Sequence, residues 1–321
     1  MYAKNFLKIL FVLVLGSVLM GCQTVSTSPA ENRRLSVAAT TSIVANVVQQ
    51  IGGDSINVHQ VIPNGTDPHS FSPTPRDLSQ ISGVKVVFVN GAGLEETLLK
   101  VLKNTVPDAT LIEVSQNNPL IEGHEHPQGD EGGMGEPHTT EGEEGHPLDP
   151  HTWTDPNNVM QWVDIIVAEL SRLDPAHQQM YQKNGEAYKE QLKEVDRWIQ
   201  EQVAQIPAEN RKLVTDHLAW GYFAKRYGFE QIGAIIPGFS TLAEPSAQEI
   251  AALEEQIRSQ NIRAIFVGNQ SNPALAKRIA EDTGAKVVPL YVGTLSDSDG
   301  PAATYLAYLR YNVNAIVDAL K

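Results

Sequence analysis

Strand-like and helix-like segments alternate twice along this chain, on either side of one long helical stripe, and this rhythm restricts the fold more than any other feature. In the first run, Leu35-Ser-Val-Ala-Ala39, residues 56–62 and residues 84–89 are apolar stretches of strand length. Thr74 followed by Pro75 opens a short helix with Leu78 and Ile81 on one face. In the second run the strands are residues 212–215, 262–267 and 285–290. Its helices carry explicit start and stop signals. Ser246 and Glu249 form a capping box ahead of Ile250, Leu253 and Ile257, while Asn272-Pro273 starts another helix that Gly284 closes. A last helix places Tyr305, Leu309, Val313, Ile316 and Leu320 at helical spacing. The prediction is an α/β fold of two (β/α) lobes, each built on a mostly parallel sheet.

Two helices lie between the runs. Asp155-Pro156 caps the first, with Val159, Val163, Ile166 and Leu170 on one stripe. Asp174-Pro175 caps the second, whose stripe of Tyr181, Tyr188, Leu192, Val195, Ile199 and Val203 runs toward Pro207. At 1.5 Å per residue this second helix spans roughly 45 Å. A long rigid helix of that kind joins the lobes and limits how far they hinge. The expected divisions are an N-terminal lobe over residues 35–173, a linking helix over 174–206 and a C-terminal lobe over 207–321.

The N-terminus reads as a targeting segment. Lys4 and Lys8 precede an apolar stretch from Ile9 to Met20, which is too short for an ordinary membrane span. Leu19-Met20-Gly21-Cys22 matches a lipobox, so residues 1–21 are expected to be a lipoprotein signal peptide and Cys22 the lipid-bearing first residue of the mature chain. Residues 22–34 then form a flexible tether. The expected location is extracytoplasmic, anchored by lipid in the periplasm or on the outer face of the cell membrane. Cys22 is the only cysteine, so the mature chain has neither a disulfide nor a free thiolate for a metal.

From Glu122 to Pro150 the chain has nine acidic residues and His124, His126, His138 and His146, with no Lys or Arg. It has almost nothing apolar to bury and is expected to be a disordered His-rich acidic loop, of a composition associated with weak metal binding.

The chemistry converges on three other histidines. Asp67-Pro68-His69-Ser70-Phe71 and Asp149-Pro150-His151-Thr152-Trp153 are near copies, and His217 follows Asp216 at the end of an apolar run. A single histidine beside Asp-Pro is ordinarily a turn residue. The repeated phrase, beside a lipobox and a His-rich loop, makes His69, His151 and His217 the candidate metal ligands. Three imidazoles suit a borderline ion, zinc above all. The neighbouring aspartates Asp67, Asp149 and Asp216, or backbone carbonyls, are available to fix the imidazole tautomers. Open α/β sheets place ligands beyond the carboxyl ends of their strands, and two such lobes face each other across a crevice. His59, inside a strand, reads as structural, and His177 as a solvated surface residue. Trp153, Trp220 and Phe223 are expected to pack the cleft.

These residues carry a resemblance. The segments 65–77, 149–157, 215–223, 243–246 and 300–306 together resemble the ZnuA-like or TroA-like solute-binding lipoproteins of zinc and manganese ABC importers, over almost the whole mature chain. The resemblance implies two α/β lobes joined by a rigid helix, an ion at their interface, and delivery to a membrane permease driven by its ATPase. By position it makes His69, His151 and His217 the metal ligands. Manganese members more often have a carboxylate at the third position, so His217 and the His-rich loop point to the zinc type, with Mn2+ as the alternative to Zn2+. Many relatives add an aspartate ligand shortly before a closing Leu-Ser. Here Gly293 stands at that place, which leaves Asp297, Asp299 or water to complete the coordination.

Capture without catalysis is the leading reading. A three-histidine zinc hydrolase is the competing class, but the chain has no HExxH pair and no evident general base beside the trio. A net charge of −14 argues against nucleic-acid binding and accords with cation capture. A monomer is expected.

Overall fold

The computed structural model describes residues 34–123 and 147–321. The signal peptide, Cys22, the tether up to residue 33 and the four loop histidines His124, His126, His138 and His146 lie outside the described residues. The first lobe runs β1 (Leu35–Ala39), α1 (Ser42–Gly52), β2 (Ile56–Gln60), α2 (Pro75–Gln80), β3 (Val86–Val89), α3 (Glu96–Thr105) and β4 (Thr110–Glu113). Two connecting helices follow, α4 (Pro156–Leu173) and α5 (Gln178–Val203). The second lobe runs β5 (Lys212–Thr215), α6 (Gly221–Tyr227), β6 (Glu230–Ala234), α7 (Ala247–Ser259), β7 (Ala264–Gly268), α8 (Ala274–Thr283), β8 (Lys286–Leu290) and α9 (Tyr305–Leu320).

The sheets have the orders β2-β1-β3-β4 and β6-β5-β7-β8, with every pairing parallel. The lobes therefore share one topology. In each, the chain leaves the first strand, pairs its second on one side and its third on the other. That reversal opens a crevice at the carboxyl ends of the strands.

The central strands β1, β3, β5 and β7 are largely apolar because both sheet faces are covered there. Val37, Ala39, Val86 and Phe88 face inward, as do Leu213, Ala264 and Phe266, and all join one core with α1, α4, α5 and α9. The alternate residues Ala38, Val87 and Val89 belong to an outer cluster with Leu98 and Leu102. Val214, Ile265 and Val267 do the same with Leu253 and Ile279 in the second lobe. One inner core thus continues through both lobes.

The long helix α5 has 26 residues, about 39 Å. It is shorter than the span 174–206 because Asp174 opens a 3-10 turn (Pro175–His177) and the α-helix ends at Val203. The Asp174 carboxylate accepts from His177 Nδ1 at 2.7 Å and from the Tyr181 hydroxyl at 2.8 Å. His177 is therefore a half-buried part of this helix start rather than a freely solvated side chain. His59 lies half-buried in β2, in keeping with a structural role.

Candidate metal centre

Each of the three histidines sits on a segment between regular elements. His69 lies on the loop after β2, in a turn where Asp67 Oδ1 accepts its backbone N–H at 3.0 Å. His151 precedes the 3-10 turn Thr152–Thr154 that leads into α4. His217 stands two residues past β5, a central strand of its sheet. The fold gathers them. Nε2 of His69 lies 3.1 Å from Nε2 of His151, which lies 3.2 Å from Nε2 of His217. One nitrogen from each residue falls within 4.8 Å of the others, with His151 and His217 buried and His69 half-buried. Two nitrogens bound tetrahedrally at ~2.0–2.1 Å from one zinc are about 3.3–3.4 Å apart, so the cluster has the dimensions of an ion site.

The outer nitrogens explain why the inner ones meet. Asp149 Oδ1 lies 2.8 Å from His151 Nδ1 and also accepts that residue's backbone N–H at 2.9 Å. Asp216 Oδ1 lies 3.1 Å from His217 Nδ1 and accepts its N–H at 2.9 Å. A carboxylate at Nδ1 draws the proton there and leaves a lone pair on Nε2. Lone pairs on adjacent nitrogens repel one another, and a cation between them removes the repulsion. Asp67 behaves differently: it holds His69 through the backbone, and its Oδ2 accepts from Ser70 Oγ at 3.2 Å and from Thr241 Oγ1.

Burial, with the neighbouring His151 and His217, lowers the His69 pKa to about 3. Burial, then His217, holds His151 well below the usual imidazole range. Both rings are neutral near pH 7, as ligands must be. The two carboxylates diverge. Burial lifts Asp149 to about 7. Burial acts the same way on Asp216, but hydrogen bonds from His217, Ser271 and the Gly268 N–H outweigh it and hold that carboxyl low. The contrast is structural: Asp216 Oδ2 accepts from Gly268 N at 2.9 Å and Ser271 Oγ at 2.5 Å, whereas Asp149 Oδ2 is buried with no partner. A Cβ at Gly221 would lie 2.7 Å from that same Asp149 Oδ2, so only glycine fits beside the carboxylate.

Among the described residues, no carboxylate joins the trio. Asp297 and Asp299 are exposed, and Asp297 Oδ1 instead lies 3.4 Å from Asn64 Nδ2. Neither takes the fourth place. Gly293 is occupied by a neighbour: a Cβ there would stand 2.9 Å from Cγ and Cδ of Pro68, the residue before His69.

Trp153 is buried against the edge of the His151 ring, 5.2 Å between centroids, and donates from Nε1 to Val292 O at 3.0 Å, across the two lobes. Trp220 and Phe223 pack edge to face in the inner core. Sequence reasoning missed the residues that brace the ligand loops from a distance. Asn90, fully buried at the end of β3, donates to Pro150 O at 2.9 Å, next to His151. Ser271 and Thr241 reach the ligand-loop aspartates from other loops. No local pattern marks such residues, since the partners are 55 or more positions away in sequence.

Comparison with known proteins accords with this architecture. The profile of the ZnuA family, described as zinc-uptake complex component A, periplasmic, matches residues 37–319. The manganese-binding lipoprotein MntA of Halalkalibacterium halodurans is 30% identical over 311 residues, covering 96% of each chain. A manganese-bound periplasmic metal-binding protein of Candidatus Liberibacter asiaticus superimposes with a TM-score of 0.75 at 27% identity, over 90% of this chain and 100% of that one. The periplasmic zinc-binding protein TroA of Treponema pallidum has the same fold, with a TM-score of 0.77 at 24% identity over 90% of this chain and 99% of that one. Two parallel-sheet lobes around a long helix, with a family match spanning nearly all of the described chain, place this protein in the ZnuA family of metal-binding solute-binding proteins of ABC importers, which are carriers and not enzymes.

Proposed function

We propose that this chain captures Zn2+ in the crevice between its lobes, with His69, His151 and His217 as ligands, and delivers it to an ABC permease powered by its ATPase. In this reading Cys22 carries the lipid that holds the protein on the extracytoplasmic side of a membrane. The observation that carries the choice of metal is the donor set. Three imidazole nitrogens converge, and among the described residues no carboxylate oxygen lies with them. Manganese is a hard ion that suits carboxylate, carbonyl and water oxygens, whereas imidazole suits zinc. Water is the natural fourth donor, because Asp297 and Asp299 are exposed and do not join the trio, and Gly293 has no side chain.

Manganese is the second reading, favoured by relatives named for it. Zinc outranks manganese at almost any nitrogen and oxygen site, so simple competition does not separate the two. The informative experiment is titration with manganese alone, alongside the metal content of protein produced with both ions present. The expected result is one zinc per chain and no manganese retention at micromolar concentrations. Submicromolar binding of manganese, lost in His217→Ala, would overturn the zinc assignment.

A further inference from the structure

We infer that residues 236–241 form a strap across the three ligand loops, and that the hydroxyl of Thr241 on Asp67 is the latch that sets how fast the bound ion leaves. The inference rests on the ligand assignment above and adds a residue that governs release.

The strap is rooted beside His217. Ile236 N donates to Asp216 O at 2.8 Å, and Leu218 N donates to Gly238 O at 2.8 Å. These bonds bracket His217 on both sides. The strap then leaves the second lobe. Phe239 lies over Gly123, where a Cβ would stand 2.7 Å from the ring carbon Cε2. Gly123 belongs to a short antiparallel bridge in which Gly123 N donates to Pro147 O and Asp149 N donates to Ile121 O, each at 2.8 Å. That bridge leads directly into Asp149 and His151. At its far end the strap reaches the third loop, where Thr241 Oγ1 donates to Asp67 Oδ2. The other oxygen of Asp67 holds the backbone of His69 at 3.0 Å.

The strap therefore links all three ligand loops by a route independent of the ion. Its weakest point is identifiable. His151 and His217 are buried, and each has a carboxylate at Nδ1. His69 is half-buried, and its loop, residues 61–74, contains no helix or strand. An ion leaving the crevice must first lose the ligand that is held least, which is His69. Thr241 is the strap's side-chain hold on the carboxylate that orients His69. Its removal takes the strap off the His69 loop without touching any ligand, leaving the loop's other holds, from Thr294 and Ser296, in place.

The test is zinc release from the full-length protein into excess chelator, followed by stopped flow. Thr241→Val keeps shape and removes the hydroxyl. Release is expected to be about 10–100-fold faster, as for loss of a hydrogen bond to a charged group, with one zinc still bound per chain. Thr241→Ser restores the hydroxyl and is expected to release at close to the wild-type rate. Asp67→Ala combined with Thr241→Val is expected to be no faster than Asp67→Ala alone, since both remove one interaction. Wild-type release by Thr241→Val, or additivity in the double variant, would overturn the latch. Retention of tight zinc by His217→Ala would instead overturn the ligand assignment, and the two failures are read from different proteins.

Discussion

Gly293 and Pro68 touch across the two lobes so closely that a Cβ at position 293 would stand 2.9 Å from two ring carbons of the proline. The space beside Gly293 is thus filled by the shoulder of the His69 loop. The same loop is held by Gly65 N, which donates to Thr294 Oγ1 at 3.0 Å, and by Asn64 Nδ2, which donates to Ser296 O at 2.9 Å. A side chain at 293 must push Pro68, and His69 moves with it. Gly293→Ala is expected to leave the fold intact and weaken zinc binding by about tenfold or more, comparable to other losses of support behind a metal ligand. Competition against a chelator of known affinity measures it. Unchanged affinity would show that the loop absorbs the shift.

Asp149 and Asp216 are predicted to be unequal supports. Each Asp→Asn change removes the charged acceptor behind an imidazole and is expected to weaken zinc binding by about 10–100-fold. Asp216→Asn also disturbs the bonds from Gly268 and Ser271, so it is expected to destabilise the metal-free protein more than Asp149→Asn, whose Oδ2 has no partner to lose. Chelator competition and urea unfolding of both variants separate the two effects.

Asp196 on α5 ties the connecting helices to the second lobe. It accepts from Arg226 Nη2 at 2.6 Å and Nε at 3.1 Å, from the Tyr227 hydroxyl at 2.9 Å and from Gln200 at 3.1 Å. Arg226 also lies 3.8 Å from Asp155, the cap of α4. Asp196→Ala leaves the Tyr227 hydroxyl and a partly exposed guanidinium without their acceptor, and is expected to cost about 2–4 kcal/mol in urea unfolding. A loss below about 1 kcal/mol would show that solvent replaces the carboxylate.

The histidine site of the metal-free protein is expected to contribute a loss of stability on acidification. His69, lowered to about 3, and His151, held well below its usual range, bind fewer protons folded than unfolded. Their contribution is present above about pH 6.5 and is lost as pH falls toward the folded values. Asp149, lifted to about 7, acts in the opposite sense, and its contribution is present below pH 3.8 and lost as pH rises through 7. Within the site the two imidazoles outweigh Asp149 between about pH 6 and pH 4, so the trio lowers stability on acidification, while buried Glu95 and half-buried Asp155, whose pKa values are also raised by burial, oppose it. Added zinc is expected to steepen the fall, because protons compete with a metal for imidazoles. Urea midpoints at several pH values, with and without zinc, test this. A metal-free profile whose slope between pH 6 and pH 4 is unchanged in a His69→Ala, His151→Ala double variant would contradict it.

Much of the fold was legible because parallel strands covered on both faces read as apolar runs. The two strands that pattern reading passes over, β4 and β6, are edge strands with partly exposed residues. With less surface to bury, Thr110–Glu113 and Glu230–Ala234 carry weaker apolar patterns than β3 or β7. The capping box at Ser246 and Glu249 and the left-handed stop at Gly284 were legible because a cap is local chemistry, complete within four residues. Asp174 was legible as a boundary but not as a 3-10 turn, since the choice depended on where Tyr181 and His177 could reach.

The same division holds at the candidate site. Which side chains are available to a cation could be read along the chain, because an Asp-Pro-His phrase sets the local backbone at His69 and at His151, and His217 follows its own aspartate. Sequence by itself also showed that Cys22 is the only cysteine. Long-range packing is what brings the three Nε2 atoms together, closes Gly293 with Pro68 and carries Thr241 to Asp67. Those contacts join residues 66 to 225 positions apart. Such distances along the chain are closed by the packing of both sheets on one inner core, and no local preference encodes them.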